Sequence, residues 1–198
     1  MQWTTKFLLS AMDAKQFPAA SVPEVAFLGR SNVGKSSLIN ALLGSVQAKV
    51  SQTPGRTRAI NFFALQPAPN KPPAMLFADL PGYGYAKISK SISSEWPTFI
   101  EPYLEDRETL ALCVCLVDSN IPVQESDIQL QAALRRWGRS VVVVATKADR
   151  HSNNTLKNAM RELQKGLGVD RIVACSANKK TGMKDLWAEI LAAAGISG

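Results

Sequence analysis

The chain has 198 residues, 46% apolar and 20% charged, enough to bury one core of ordinary domain size and too apolar for a disordered segment. Its 23 Lys and Arg against 16 Asp and Glu leave a formal charge of +7, a balance that favours polyanionic partners. Three cysteines at no metal-ligand spacing argue against a disulfide framework and a zinc site, and no apolar run approaches the ~18 residues of a membrane span. These features predict a cytosolic protein with a single domain.

Residues 1–22 read as a partly ordered lead-in and 23–198 as the domain. The apolar run 25–28 predicts the first strand. Behind it, Gly29-Arg30-Ser31-Asn32-Val33-Gly34-Lys35-Ser36 fits G-x-x-x-x-G-K-[ST] and opens a helical pattern over 35–43. Glycines let successive backbone N–H groups turn toward phosphates, and the start of a helix adds a potential that favours anions. In this reading Lys35 reaches the β- and γ-phosphates and the Ser36 hydroxyl binds Mg²⁺.

Next, Thr53-Pro54-Gly55-Arg56-Thr57-Arg58-Ala59 separates the first helix from a second strand at 59–65, where a switch loop would supply a Thr to Mg²⁺. Thr57 is the favoured ligand, because Thr53 precedes a proline and can simply stiffen the loop's entry. The Pro-rich stretch 66–73 predicts a hairpin turn into a third strand at 74–78, so the second strand is expected to run antiparallel. Asp79-Leu80-Pro81-Gly82 closes that strand. Alone it is a good turn. After a phosphate loop, Asp79 fits a second magnesium contact and Gly82 a backbone amide that senses the γ-phosphate.

Helical patterns at 91–104, 124–137, 153–167 and 181–194 alternate with strands at 110–117, 141–145 and 171–175. Continuous β-branched runs are what strands covered on both faces look like. The alternation predicts an α/β sandwich: a six-stranded, mostly parallel sheet flanked by helices on both faces.

Two motifs at adjacent strand ends bear on the base. Thr146-Lys147-Ala148-Asp149 resembles the N/T-K-x-D signature of GTPases. An Asp carboxylate accepts hydrogen bonds from guanine N1–H and the exocyclic amine, a donor pair that adenine lacks. The aliphatic stem of Lys147 can cover the base face. Cys175-Ser176-Ala177 resembles the segment that places a backbone N–H on guanine O6. Thr146 stands where Asn is commoner and predicts a weaker loop tether.

The set GRSNVGKS, TPGRT, DLPG, TKAD and SA resembles the TrmE–Era–EngA-like branch of GTPases. The contexts Val50-Ser51-Gln52-Thr53-Pro54-Gly55-Arg56-Thr57 and Asp79-Leu80-Pro81-Gly82-Tyr83-Gly84-Tyr85-Ala86 look specifically like the EngB family, over roughly residues 17–191. The resemblance implies a Ras-like P-loop fold and a cytoplasmic, monomeric GTP/GDP switch with Mg²⁺ as cofactor. It implies action in large ribosomal subunit assembly, through rRNA and ribosomal proteins, and a requirement in cell division and septation. Lys35 and Thr57 would serve hydrolysis. Tyr83 occupies the place of the Gln that orients water in many GTPases, so slow intrinsic turnover stimulated by the ribosome is expected and no general base is assigned. Asn32 matches the asparagine that holds potassium in related GTPases; with equal weight, it simply tolerates a turn conformation.

Two readings from other classes compete. A metabolic P-loop kinase is opposed by TKAD and DLPG, and a plain RNA-binding module by intact Lys35, Ser36, Thr57 and Asp79. Charge falls in blocks: residues 134–184 carry twelve Lys/Arg against three Asp/Glu, and 91–133 carry one against eight. Lys87, Lys90, Arg135, Arg136, Arg139, Arg161, Lys165, Lys179 and Lys180 are candidates for rRNA phosphates, although solvated helix faces explain any one block. The single histidine, His151, is expected on an exposed loop. Cys113, Cys115, Cys175, Trp96, Trp137 and Trp187 are expected in the core.

Overall fold

The computed structural model describes residues 3–48, 59–84 and 96–197. One sheet runs through it, in the order β1 (Thr4–Ala11), β3 (Ile60–Gln66), β4 (Met75–Asp79), β2 (Glu24–Gly29), β5 (Leu110–Asp118), β6 (Val141–Thr146) and β7 (Ile172–Ala174). Strands β2, β4, β5, β6 and β7 are mutually parallel, whereas β3 runs antiparallel to both β1 and β4. The hairpin reversal expected at 66–73 is therefore present.

The sheet has seven strands rather than the expected six. Thr4–Ala11, inside the anticipated lead-in, pairs along β3 as an edge strand. Its pattern is weak because half of its residues are exposed and only Ala11 is buried. Only pairing with a segment 49 to 62 residues further along makes it a strand. The register shifts between Phe7 and Leu9, leaving Leu8 as a bulge, a device that bends an edge and discourages further pairing.

Five α-helices lie among the described residues: α1 (Lys35–Leu43), α2 (Ile100–Asp106), α3 (Glu125–Arg136), α4 (Asn153–Leu167) and α5 (Met183–Ala193). α1 and α4 have the expected bounds. Of the helical pattern at 91–104, residues 91–95 lie outside the described residues, 96–99 form a turn in which Ile100 N–H donates to the Pro97 carbonyl at 3.0 Å, and α2 begins at Ile100. α5 starts at Met183 because Thr181 is bridged to Ser176 and Gly182 takes φ 75°. A Cβ on Gly182 would lie 2.1 Å from the Ala174 carbonyl oxygen, so only glycine fits there.

Alternate residues of the central strands feed two cores. Ala26, Leu28, Cys113 and Cys115 pack with Ile100, Tyr103, Leu130 and Leu134 from α2 and α3. Val25, Phe27, Val114 and Leu116 pack with Leu38, Leu42, Leu186 and Ile190 from α1 and α5. A smaller cluster joins Val143 and Ala145 to Leu163 and Leu167 of α4. Burial pushes the Cys113 and Cys175 thiols up to about 12, as expected for cysteines that act as small hydrophobes. Trp96 is buried, and Trp137 and Trp187 pack against the cores.

The N-terminal end of β2 carries a buried polar network. The Glu24 carboxylate accepts from Arg107 Nε at 2.9 Å, the Tyr103 hydroxyl at 2.8 Å and the Thr109 hydroxyl at 2.8 Å. Arg107 also donates to the Pro18 carbonyl, which ties the chain ahead of β2 to the sheet.

Two arginines expected on RNA phosphates are engaged within the protein. Arg135 donates to the carbonyls of Leu167 and Gly168 at the C-terminus of α4, and Arg139 to those of Leu104 and Glu105 at the end of α2. Helix ends leave such carbonyls without intrahelical partners, and a guanidinium satisfies them well.

Candidate nucleotide site

Because five strands point the same way, their C-terminal ends share one edge of the sheet. The chain crosses from one half of the sheet to the other between β2 and β5, the switch point at which open α/β sheets bind ligands. At this edge lie residues 29–36 after β2, Asp79 ending β4, Asp118 ending β5, Thr146 ending β6, and Cys175 after β7.

The phosphate loop is shaped by close packing. A Cβ on Gly29 would come 2.8 Å from Val33 Cγ1 and 3.1 Å from Leu116 Cβ. Asn32 (φ 65°) and Gly34 (φ 102°) are left-handed, which turns successive peptides into a concave nest. Ser31 N–H donates to the Tyr83 carbonyl at 2.9 Å and Val33 N–H to the Arg30 carbonyl at 3.1 Å. Gly34 is the N-cap of α1 and brings no side chain over the helix start. The first-turn N–H groups of Lys35 and Ser36 have no intrahelical acceptor, so this end can receive an anion.

The Lys35 ammonium pairs with the Asp79 carboxylate, with side chains only 12% and 6% exposed. Gly82 lies against the loop: a Cβ there would approach Ser31 N to 3.2 Å. Leu80 is buried with its N–H on the Phe27 carbonyl, and the Pro81 carbonyl accepts from Trp96 Nε1 at 3.2 Å. Tyr83 is buried, and its hydroxyl donates to Asp127 Oδ1 at 3.1 Å. Burial, reinforced by Asp127, pushes that phenol well above its ordinary range. Its polar end is thus taken inside the core.

At the base end, the buried Thr146 hydroxyl lies 2.6 Å from the Val33 carbonyl and 3.1 Å from that of Val117. The threonine does tether its strand to the phosphate loop, with one proton shared between two acceptors. Lys147 is left-handed (φ 57°). Its ammonium donates to the Asn32 carbonyl at 2.9 Å and to Asp118 Oδ2 at 2.7 Å. Asp149 is exposed, and a hydrogen bond from the Ser176 hydroxyl holds its carboxyl below the ordinary range. Ala148 N–H donates to the Cys175 carbonyl, at 3.1 Å.

Cys175 lies under the base loop. Its N–H donates to the Ala145 carbonyl and its thiol is buried, so it supports the loop from beneath. Ser176 N–H is engaged with the Thr181 carbonyl, which leaves Ala177 as the next N–H in line. His151 is half-buried rather than exposed, its ring Nε2 donating to the Ser119 carbonyl at 3.0 Å. Asp118, Ser119 and Asn120 belong to none of the phosphate or base motifs; an Asp closing an apolar strand, with an Asn two residues on, is their signal in the sequence. Ala59 precedes β3. Thr53, Gly55, Arg56, Thr57, Arg58, Lys87 and Lys90 lie outside the described residues.

No three His, Cys, Asp or Glu side chains gather as a metal cage among the described residues. The Ser36 hydroxyl and Asp79 carboxylate are hard oxygen donors. They suit Mg²⁺, which takes few protein ligands and completes its shell with phosphate oxygens and water. No helix among the described residues is long and apolar enough to cross a membrane.

The architecture is that of a P-loop GTPase, and the family model described as 50S ribosome-binding GTPase matches residues 24–147. The chain is 64% identical over 191 residues to the probable GTP-binding protein EngB of Acidobacterium capsulatum, covering 96% of this chain and 90% of that one. It belongs to the EngB family of GTP-binding proteins. A crystal structure of a probable GTP-binding protein engB superposes with a TM-score of 0.68 at 23% identity, covering 86% of this chain and 97% of that chain. Era in complex with MgGDPNP and part of the 16S ribosomal RNA superposes with a TM-score of 0.68 at 26% identity, covering 86% and 56%.

Proposed function

We propose that this protein is a guanine-nucleotide switch that acts in assembly of the large ribosomal subunit. The observation that carries the reading is the meeting of the phosphate loop, Asp79 and the Thr146-to-Asp149 loop on one edge of the sheet. Residues 29–36 cradle the phosphates, with Lys35 on the β- and γ-groups. Ser36 and Thr57 hold Mg²⁺, which offsets the charge of those phosphates, and Asp79 stands beside them. The Leu80-Pro81-Gly82 turn lies against the phosphate loop, and Gly55, Arg56, Arg58 and Ala59 complete the GTP-binding set in this reading. Asp149 and the Ala177 N–H read guanine, and Lys147 covers the base. Asn32 has the backbone role that its φ of 65° accounts for; exchanging potassium for sodium in a turnover assay tests an ion beside it.

With the Tyr83 hydroxyl engaged by Asp127, no side chain at that position orients water, so hydrolysis is slow until the ribosome stimulates it. The description of the matching family as ribosome-binding supports the large subunit as partner, and so does the positive charge of the chain. A cytoplasmic monomer, needed for cell division and septation, completes the reading.

The test is sedimentation with purified large subunits in the presence of a non-hydrolysable GTP analogue, GDP or no nucleotide. The GTP-analogue form should travel with the subunit and the GDP form should not. Equal behaviour in all three states overturns the switch, and displacement of bound GDP by ATP as readily as by GTP returns the kinase reading.

A further inference from the structure

Asp118 is a nearly buried carboxylate at the site that the nucleotide reading leaves without a role. We propose that Asp118 is a positioning residue for base recognition. It grips the Lys147 ammonium so that the lysine stem is already laid in place when a guanine nucleotide arrives. The inference rests on the guanine-nucleotide reading above and names a residue that strengthens binding without touching the ligand.

Three observations carry it. The carboxylate is itself oriented: Oδ1 accepts from Asn120 N–H and from Asn120 Nδ2, both at 2.9 Å, which leaves Oδ2 directed at Lys147 at 2.7 Å. The ammonium is held at two points, since it also donates to the Asn32 carbonyl of the phosphate loop, and its backbone takes a left-handed φ of 57° that non-glycine residues rarely adopt. The turn between them is fastened to both ends of the base loop, by Ser119 N–H to the Thr146 carbonyl at 3.1 Å and by His151 Nε2 to the Ser119 carbonyl. Asp118, Lys147 and Asn32 line a cavity of ≈ 140 Å³ beside the phosphate loop, so the pair is no loose surface contact.

A free lysine loses rotamer freedom when a ligand orders it; a lysine held in place beforehand does not, and the difference appears as affinity. The β5–β6 pairing places Asp118 opposite Thr146 by backbone hydrogen bonds alone. Asp118→Asn therefore leaves the strand pairing intact while removing the charge that holds Lys147.

The test is a double-mutant cycle on the full chain, with fluorescent mant-GDP and Mg²⁺ as the probe, reading affinity and release rate. Asp118→Asn should weaken binding about tenfold or more, mainly through faster release, the low end of what a hydrogen bond to a charged group is worth. In a Lys147→Met background the same change should alter affinity by no more than about twofold, because the two residues act as one unit. Asn120→Ala, which removes one of the two donors that orient the carboxylate, should weaken binding in the same direction but less, and it serves if circular dichroism shows Asp118→Asn to be unfolded. Unchanged or tighter binding in both Asp118→Asn and Asn120→Ala overturns the inference. So does an equal loss in both lysine backgrounds, which marks general damage to the turn. A wild-type protein that binds no GDP overturns the guanine-site reading, and this inference with it.

Discussion

At the scale of single residues, the site is held by charges largely removed from water. Lys35 and Asp79 are each almost covered, so removing one strands the other. Lys35→Ala should abolish tight nucleotide binding and also lower stability, by on the order of 3 kcal/mol. Adding Asp79→Asn should recover much of that stability in urea unfolding without restoring nucleotide affinity. If the double variant regains nucleotide binding, Lys35 has no part in holding phosphates. Asp149 is different, because it is exposed and its carboxylate is held chiefly by a hydrogen bond from Ser176 rather than by a covered ion pair. Asp149→Asn should leave the melting temperature unchanged, reduce GTP affinity about tenfold or more, and improve xanthosine triphosphate binding relative to GTP, as a competition assay would read. Retained GTP preference would place base recognition elsewhere.

At the scale of elements, the structure separates basic residues that build the fold from those open to a partner. Arg135 and Arg139 close the ends of α4 and α2, whereas Arg161 and Lys165, one turn apart on α4, are exposed. Arg139→Glu should lower the melting temperature, because it withdraws a charged donor from two helix-terminal carbonyls, a loss of about 1.5–3 kcal/mol. Arg161→Glu with Lys165→Glu should leave both the melting temperature and GDP affinity alone. If α4 meets RNA phosphates, the pair should weaken association with the large subunit and reduce its dependence on log salt concentration by about two units. A double variant that sediments as the wild type clears α4 of contact. β1 shows the same dependence on context. Its exposed, half-polar pattern carries little signal, and only β3 at its side makes it a strand.

At the scale of the whole molecule, the phosphate loop, Asp79 and the Thr146-to-Asp149 loop gather at the C-terminal edge of the sheet, while the Glu24 network anchors the opposite end. Glu24 is fully buried and satisfied by Arg107, Tyr103 and Thr109. Glu24→Ala should destabilise the protein by about 3–5 kcal/mol, the cost of leaving Arg107 without its carboxylate. The selectivity for guanine over adenine nucleotides, measured below the unfolding transition, should not change. A loss of selectivity in a folded variant would show that the two ends of the sheet are coupled.

Contiguous information was enough for much of this protein. The phosphate loop is eight consecutive residues whose glycine positions answer to local backbone geometry. The central strands are apolar runs whose character follows from cover on both faces, and α1 and α4 declare themselves by helical spacing. What required the tertiary structure joins residues far apart in the chain. Strand pairing alone sets Asp118 beside Lys147, twenty-nine positions later. The same holds for the Tyr83 hydroxyl on Asp127, the arginines that cap distant helices, and β1 on β3. Periodicity reports which face of an element is buried, but a polar side chain's partner depends on which elements the packed sheet brings together.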